Sequence, residues 1–375
     1  ALLLRRYDLV ETQEKAPDRA LDLLEAEILS EPNIDKMHAY GELAFIEGKR
    51  ALEHKDEHLA LEMFGDATAH AYMYLFDPRF DHERNHYDPQ FRQVCDLYNL
   101  ALESLLRIIN DQGRLRPGET YSIDSDRHRL DLQISLRGPW NQDDFDKFEF
   151  VSDYKVSGRL TRHVTYGLGV PLIAVFREGN HQQEPAAEFY PADMAFPVTA
   201  IVRAHQRPCT QPDQHRSVLC SMELHDALGA DRVEIADRCV PLETDLTTPL
   251  GFFLDHRQFK GSEVAWEGLR DPDAADQLRG LYMLEAYDPY KIPVLMVHGL
   301  WSSPETWTEM INELRSLPEI RNRYQFWTYL YPTGQPFWIS ATRLREDLNI
   351  VRQAIDPQRR SAALDQMVVM GHSMG

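Results

Sequence analysis

The sequence predicts a multidomain fold with three regions: α-helical over residues 1–118, antiparallel β over residues 119–275, and α/β over residues 276–375. Three observations support this division. Apolar residues recur every three or four positions in the first region, which is typical of helices packed on one face. In the second region they alternate or form short runs between clusters of Gly, Pro, Asn and Asp. In the third, strand-like runs alternate with helical stripes, and this order indicates a parallel sheet covered by helices.

The helical region is predicted to form a bundle. Its clearest stripe consists of Ala60, Phe64, Ala67 and Ala71, at i, i+4, i+7 and i+11. Residues 48–67 also resemble a tetratricopeptide repeat at a few positions, so a repeat-like arrangement is the alternative. A stacked array needs several copies, and no clear second copy is present.

The middle region contains four segments of strand length. Two of them, RLDLQISL (129–136) and SVLCSMEL (217–224), alternate apolar and polar residues, whereas VPLIAVF (170–176) and FPVTAIV (196–202) are continuously apolar. Short strands at this spacing predict an antiparallel sandwich or barrel. No constellation of chemically active residues stands out here, so we expect an accessory or packing role.

The net charge and composition argue against some classes of binding partner. The formal charge of −20 argues against nucleic acid and against anionic membrane surfaces, because both attract clustered Lys and Arg. No apolar run reaches membrane-spanning length, and the first residues do not form a signal peptide, so the sequence leaves the compartment open. We expect the chain to be a fragment at both ends. The four cysteines contain no C-x-x-C pair and are expected to be free thiols, with a Cys209–Cys220 disulfide as the alternative.

The motif GHSMG (371–375) follows the apolar run Met367–Met370 and fits the pattern G-x-S-x-G, which places a nucleophilic serine on a sharp turn after a strand. Ser373 would be the nucleophile, and a serine hydroxyl needs a base because it is weakly nucleophilic at neutral pH. The backbone N–H of Met374 would face the developing oxyanion. A second N–H is expected from the loop that follows an earlier strand at His298-Gly299, and we assign it to Leu300.

A second motif competes with this one. HERNH (82–86) matches H-E-x-x-H, in which two histidines on one helical face bind zinc. Here the motif stands between Pro78 and Pro89 in a stretch rich in Asp and Asn. We therefore predict a solvated loop, which cannot hold the i, i+4 geometry, and no metal site.

The α/β region resembles a known family at three segments: HGLWSSPETW (298–307), YPTGQPFW (331–338) and GHSMG. These are similar to bacterial lipase- and esterase-like members of the α/β-hydrolase superfamily, and distantly to the GPI inositol-deacylase-like group. The resemblance implies the N-terminal half of an α/β-hydrolase fold, with Ser373 as nucleophile and Leu300 and Met374 as oxyanion donors.

The resemblance also implies the remaining parts of the site. In that family the acid and the histidine follow the nucleophile, so both are expected beyond residue 375, and these residues alone are expected to be nearly inactive. Loops above the nucleophile carry four aromatic residues that either line an acyl pocket or are ordinary core residues: Trp301, Tyr331, Phe337 and Trp338.

The predicted function is a serine hydrolase that cleaves carboxylic esters of small molecules or lipids through an acyl-enzyme on Ser373. Amide or thioester cleavage would use the same turn, and no cofactor is implied. The alternative is a protein-binding scaffold, contacting its partner through the helical region, in which the hydrolase unit is degenerate.

Overall fold

The computed structural model describes residues 16–124, 128–156, 160–177, 185–191, 194–205, 216–254, 279–300 and 302–375. Trp301, Cys209 and the predicted boundary at residue 275 therefore lie outside the described residues. Among the helices of the described part, none is both long and apolar enough to cross a membrane.

Four α-helices lie in the described part of the N-terminal region, which is helical as predicted, and three of them begin at a side-chain cap. Asn33, Asp56 and Asp88 each accept a hydrogen bond from a backbone N–H of the first turn, which satisfies a donor that the helix itself leaves unpaired. The helices are α1 (Pro17–Ser30), α2 (Ile34–Glu53), α3 (Glu57–Phe76) and α4 (Pro89–Asp111).

The close packing of α2 on α3 explains why glycine and phenylalanine occupy two of the repeat-like positions. A Cβ atom added to Gly48 on α2 would lie 2.7 Å from the ring of Phe64 on α3. The glycine therefore lets the aromatic ring pack against the helix backbone.

The middle region is built on a six-stranded sheet in the order β1-β2-β7-β6-β5-β3. The antiparallel prediction is correct for four of its five pairings and wrong for the fifth, because β2 and β7 run parallel. The sheet is mixed, and helices cover part of it. The alternation of apolar residues reports only which face is buried, so it cannot distinguish a parallel from an antiparallel neighbour. The strands are β1 (Thr120–Asp124), β2 (His128–Arg137), β3 (Phe145–Phe150), β5 (Val170–Phe176), β6 (Ala195–His205) and β7 (Arg216–Asp226).

Shorter elements complete this region. Strand β4 (Val164–Thr165) pairs with β10 (Thr244–Asp245), and β8 (Arg232–Ile235) pairs with β9 (Arg238–Pro241). Helix α5 spans Thr247–Leu254. Cys220 is a buried free thiol on β7, so the structure gives no support to a Cys209–Cys220 disulfide.

Helix α4 completes the hydrogen bonding of the sheet where a strand ends. Strand β5 pairs with β6 only as far as Ala200. Beyond that point the Tyr98 hydroxyl donates to the carbonyl of Val202 at 2.6 Å and accepts from its N–H at 2.7 Å. Because buried backbone groups must be paired, the helical region and the sheet depend on each other.

The C-terminal region forms a four-stranded sheet in the order β11-β13-β12-β14. Strands β13, β12 and β14 run parallel, as predicted, whereas β11 is an antiparallel edge strand. The strands are β11 (Gly280–Met283), β12 (Ile292–Val297), β13 (Tyr324–Leu330) and β14 (Val368–Gly371). The helices are α6 (Thr308–Ser316), α7 (Pro318–Arg321), α8 (Phe337–Ile355) and α9 (Ala362–Asp365).

The C-terminal region packs directly on the β region. Asn312 on α6 donates to the carbonyl of Thr161 at 2.7 Å, and the Tyr287 N–H donates to the Tyr190 hydroxyl at 2.9 Å. One apolar cluster runs from Leu21 on α1 to Leu364 on α9. The three regions thus share a core.

Candidate active site

Four of the predicted site residues follow the carboxyl ends of parallel strands of the second sheet: Leu300, Tyr331, Ser373 and Met374. In the register of the parallel strands, Val297 of β12 pairs with Tyr329 of β13 and with Gly371 of β14. The chain therefore leaves all three strands at the same edge. This is the edge where open α/β sheets bind ligands.

Ser373 occupies the apex of a tight turn that follows β14. Its φ is +57°, a left-handed conformation that non-glycine residues rarely adopt. The His372 N–H donates to the Val297 carbonyl at 3.1 Å, and the Gly375 N–H closes the turn on the His372 carbonyl at 3.0 Å. Ser373 is exposed. A strained backbone of this kind costs about 1–3 kcal/mol and is concentrated at functional sites.

The glycines around this turn are required by close contacts. A Cβ on Gly299 would lie 2.7 Å from the Ser373 Cβ and 2.8 Å from the His372 carbonyl oxygen. A Cβ on Gly375 would overlap the carbonyl oxygens of Val297 and His298. A Cβ on Gly371 would overlap the backbone of Gly375. The loop after β12 and the turn after β14 can approach each other only because these positions carry no side chain.

Two backbone donors next to this contact are available. Within the part of the chain that the structure describes, the N–H groups of Leu300 and Met374 have no hydrogen-bond acceptor. Each belongs to the residue that follows one member of the touching pair Gly299 and Ser373. These positions agree with the expected role of the two N–H groups as oxyanion donors. That role stays a prediction.

His298 is fully buried and is held by the loop around it. Burial lowers its pKa to about 4, against a smaller opposing effect of its hydrogen bond to Gly299. Its Nδ1 lies 3.1 Å from the Gly299 carbonyl oxygen, and its Nε2 lies 3.4 Å from the backbone nitrogen of Tyr331. A buried, neutral imidazole with both nitrogens engaged holds the loop and is not free to act as a base.

The described residues supply no base to the serine. Among them the Ser373 hydroxyl has no hydrogen-bond partner, and the adjacent His372 packs its ring edge-on against Trp307 at 6.3 Å. The catalytic acid and histidine were not predicted within these residues.

The four predicted pocket residues differ in their surroundings. Phe337 and Trp338, at the start of α8, are 65% and 61% exposed and contact each other edge-to-face at 5.1 Å. Tyr331 is only 7% exposed and packs under the loop, so it presents little surface to a ligand. Trp301 lies outside the described residues. Whether these residues line an acyl pocket stays a prediction.

The HERNH segment is a loop of turns, as the sequence predicts. His82 and His86 are exposed, whereas Arg84 between them is buried and donates to the carbonyls of Tyr74 and Asp77 at 2.7 and 2.9 Å. Among the described residues, no group of three or more His, Cys, Asp or Glu side chains is placed to hold a metal ion. Hydrogen bonds from Arg84 to the backbone at the end of α3 therefore hold this loop in place.

One feature near the site was missed from the sequence. Tyr329 stacks on Tyr331 at 6.0 Å, Tyr331 stacks on His298 at 4.5 Å, and the Tyr329 hydroxyl donates to Asp347 of α8 at 2.9 Å. The spacing of two residues in a strand puts both tyrosines on one face, and this signal was present in YLY (329–331). Local sequence patterns do not identify the distant partners His298 and Asp347.

Comparison of the chain with protein families, with curated proteins and with solved structures found no match.

Proposed function

We propose that this protein is a serine hydrolase that cleaves carboxylic esters through an acyl-enzyme on Ser373. The observation that carries the proposal is the conformation of Ser373, an exposed serine with φ of +57° on a turn between a parallel strand and a glycine-lined loop. This geometry costs conformational energy at an exposed residue, and a serine hydroxyl held above the sheet edge is what a nucleophile requires.

In the proposed reaction a base removes the proton from Ser373 Oγ, which attacks the ester carbonyl carbon. The resulting oxyanion is bound by the N–H groups of Leu300 and Met374, each contributing about 3 kcal/mol to the transition state. Collapse breaks the bond to the alcohol, which leaves with the proton. Water then cleaves the acyl-enzyme and releases the carboxylic acid.

The proposal includes an α/β-hydrolase fold for the C-terminal region and requires an acid and a histidine in sequence beyond residue 375, since both follow the nucleophile in that fold. Four exposed apolar side chains at this sheet edge support an ester with an apolar acyl group: Leu300, Phe337, Trp338 and Met374.

A second candidate function is a protein-binding scaffold with a degenerate hydrolase unit. One observation favours it: the first two helices expose large apolar side chains, namely Leu23, Leu29, Ile46 and Leu52. In that case the strained turn would be a remnant of an ancestral site.

A fluorophosphonate probe separates the two candidates in the protein expressed from its complete reading frame. We expect one labelled peptide, containing Ser373, and no labelling of Ser373→Ala. Ser302→Ala is the matched control, because this nearby loop serine bonds to Thr306 and takes no part in the reaction. A folded protein that is not labelled at Ser373 would reject the hydrolase and support the scaffold.

A further inference from the structure

Tyr331 contacts His298 through three groups. Its hydroxyl donates to the His298 carbonyl at 2.8 Å, its backbone N–H donates to the imidazole Nε2 at 3.4 Å, and its ring stacks on the imidazole at 4.5 Å with an interplanar angle of 22°. Both residues are buried. Tyr331 therefore holds the side chain and the main chain of His298 at once.

These contacts determine the tautomer of His298. A backbone N–H can only donate, so Nε2 must carry the lone pair that accepts from Tyr331. The proton of the neutral ring is then on Nδ1, and it is donated to the Gly299 carbonyl oxygen at 3.1 Å. The direction of this carbonyl is thereby set by the ring that Tyr331 holds.

The Gly299 carbonyl and the Leu300 N–H belong to the same peptide group. Because a trans peptide is planar, its C=O and N–H point in opposite directions. Anchoring the carbonyl on His298 consequently fixes the Leu300 N–H to point away from His298. Glycine can adopt a wider range of backbone dihedral angles than other residues, so without this hydrogen bond the peptide group after Gly299 could rotate.

We infer that Tyr331 is a positioning residue that, through His298, fixes the direction of the Leu300 N–H as an oxyanion donor. This inference rests on the proposed function. It gives Tyr331 a role other than contact with the acyl chain, in agreement with its low exposure.

The neighbouring Tyr329 provides a matched control. It lies in β13, two positions before Tyr331, and belongs to the same stack. Its hydroxyl is bonded to Asp347, which also lies 3.3 Å from Arg279. Removing the Tyr331 hydroxyl deletes a buried hydrogen bond, and removing the Tyr329 hydroxyl deletes a half-buried one. Only that of Tyr331 reaches the loop carrying Leu300.

The test compares Tyr331→Phe with Tyr329→Phe in the complete protein, using hydrolysis of p-nitrophenyl acetate. We expect kcat of Tyr331→Phe to fall about tenfold with KM unchanged, because a misdirected donor weakens binding of the transition state and not of the substrate. Tyr329→Phe should keep the wild-type kcat. Equal kcat values for the two variants would overturn the inference.

A second pair of variants covers the case in which Tyr331→Phe does not fold. In His298→Asn an amide N–H can still donate to the Gly299 carbonyl, whereas in His298→Ala it cannot. We expect His298→Asn to retain several-fold more kcat than His298→Ala, and equal values would contradict the anchoring step. An inactive, unlabelled wild type would instead reject the proposed function and, with it, this inference.

Discussion

Gly299 and Ser373 stand so close that a Cβ atom on the glycine would lie 2.7 Å from the Cβ of the serine. Real Cβ atoms do not approach this closely, and the neighbour on the other side is the His372 backbone. The loop after β12 and the turn after β14 are therefore in direct contact, and this contact requires that residue 299 carry no side chain.

The first prediction concerns Gly299→Ala. The methyl group should push the loop away from Ser373 and lower the rate of fluorophosphonate labelling about 100-fold, since a displacement near 1 Å at a site can cost that much. The rate is measured by gel fluorescence over time in the complete protein. Gly280→Ala is the control, because on this edge strand of the same sheet the nearest atoms would be 3.7 Å away. Equal rates for both variants would show that the two segments are not in contact.

The second prediction concerns pH. The His298 pKa is about 4 in the folded chain and 6.5 as its ordinary value, so the unfolded state binds a proton between these limits and the folded state does not. Stability from this residue is complete above pH 6.5 and falls by up to about 3 kcal/mol as the pH drops towards 4. Urea unfolding of wild type and His298→Asn at pH 7.5 and 4.5 measures it. The wild type should lose more stability than the variant, and parallel losses would contradict the burial of a neutral imidazole.

The third prediction concerns the HERNH loop. Arg84→Met should lower the free energy of unfolding by about 3 kcal/mol, because the carbonyls of Tyr74 and Asp77 lose their donor and Asp81 loses one of its two arginine partners. His82→Ala, on an exposed residue of the same loop, should change it by less than about 0.5 kcal/mol. Urea unfolding gives both values. Neither EDTA nor added Zn²⁺ should shift Tm, and a shift abolished by His82→Ala would restore the metal hypothesis.

The fourth prediction concerns the junction between helix α4 and the six-stranded sheet. Tyr98→Phe leaves the N–H and C=O of Val202 without a partner and should lower the free energy of unfolding by about 2 kcal/mol. Tyr87→Phe, on a residue that is 97% exposed, is the control. If Tyr98→Phe matches the control in chemical denaturation, the helical region does not complete the sheet.

The sequence by itself determined the elements whose signal is local. Periodicity located the helices and strands, and the run Met367–Met370 was recognised as a strand leading into a serine turn. These features depend on neighbours a few residues apart, because hydrogen bonding and side-chain direction repeat within one turn or one pleat.

Only the tertiary structure decided which distant segments meet. It paired β2 with β7 in parallel, placed Tyr331 against His298, and brought Gly299 against Ser373. Each contact joins residues tens of positions apart, and its geometry follows from sheet register and shared packing. Alternation along a strand shows which side chains are buried but does not identify the neighbouring strand. These contacts can therefore be seen only in the folded chain.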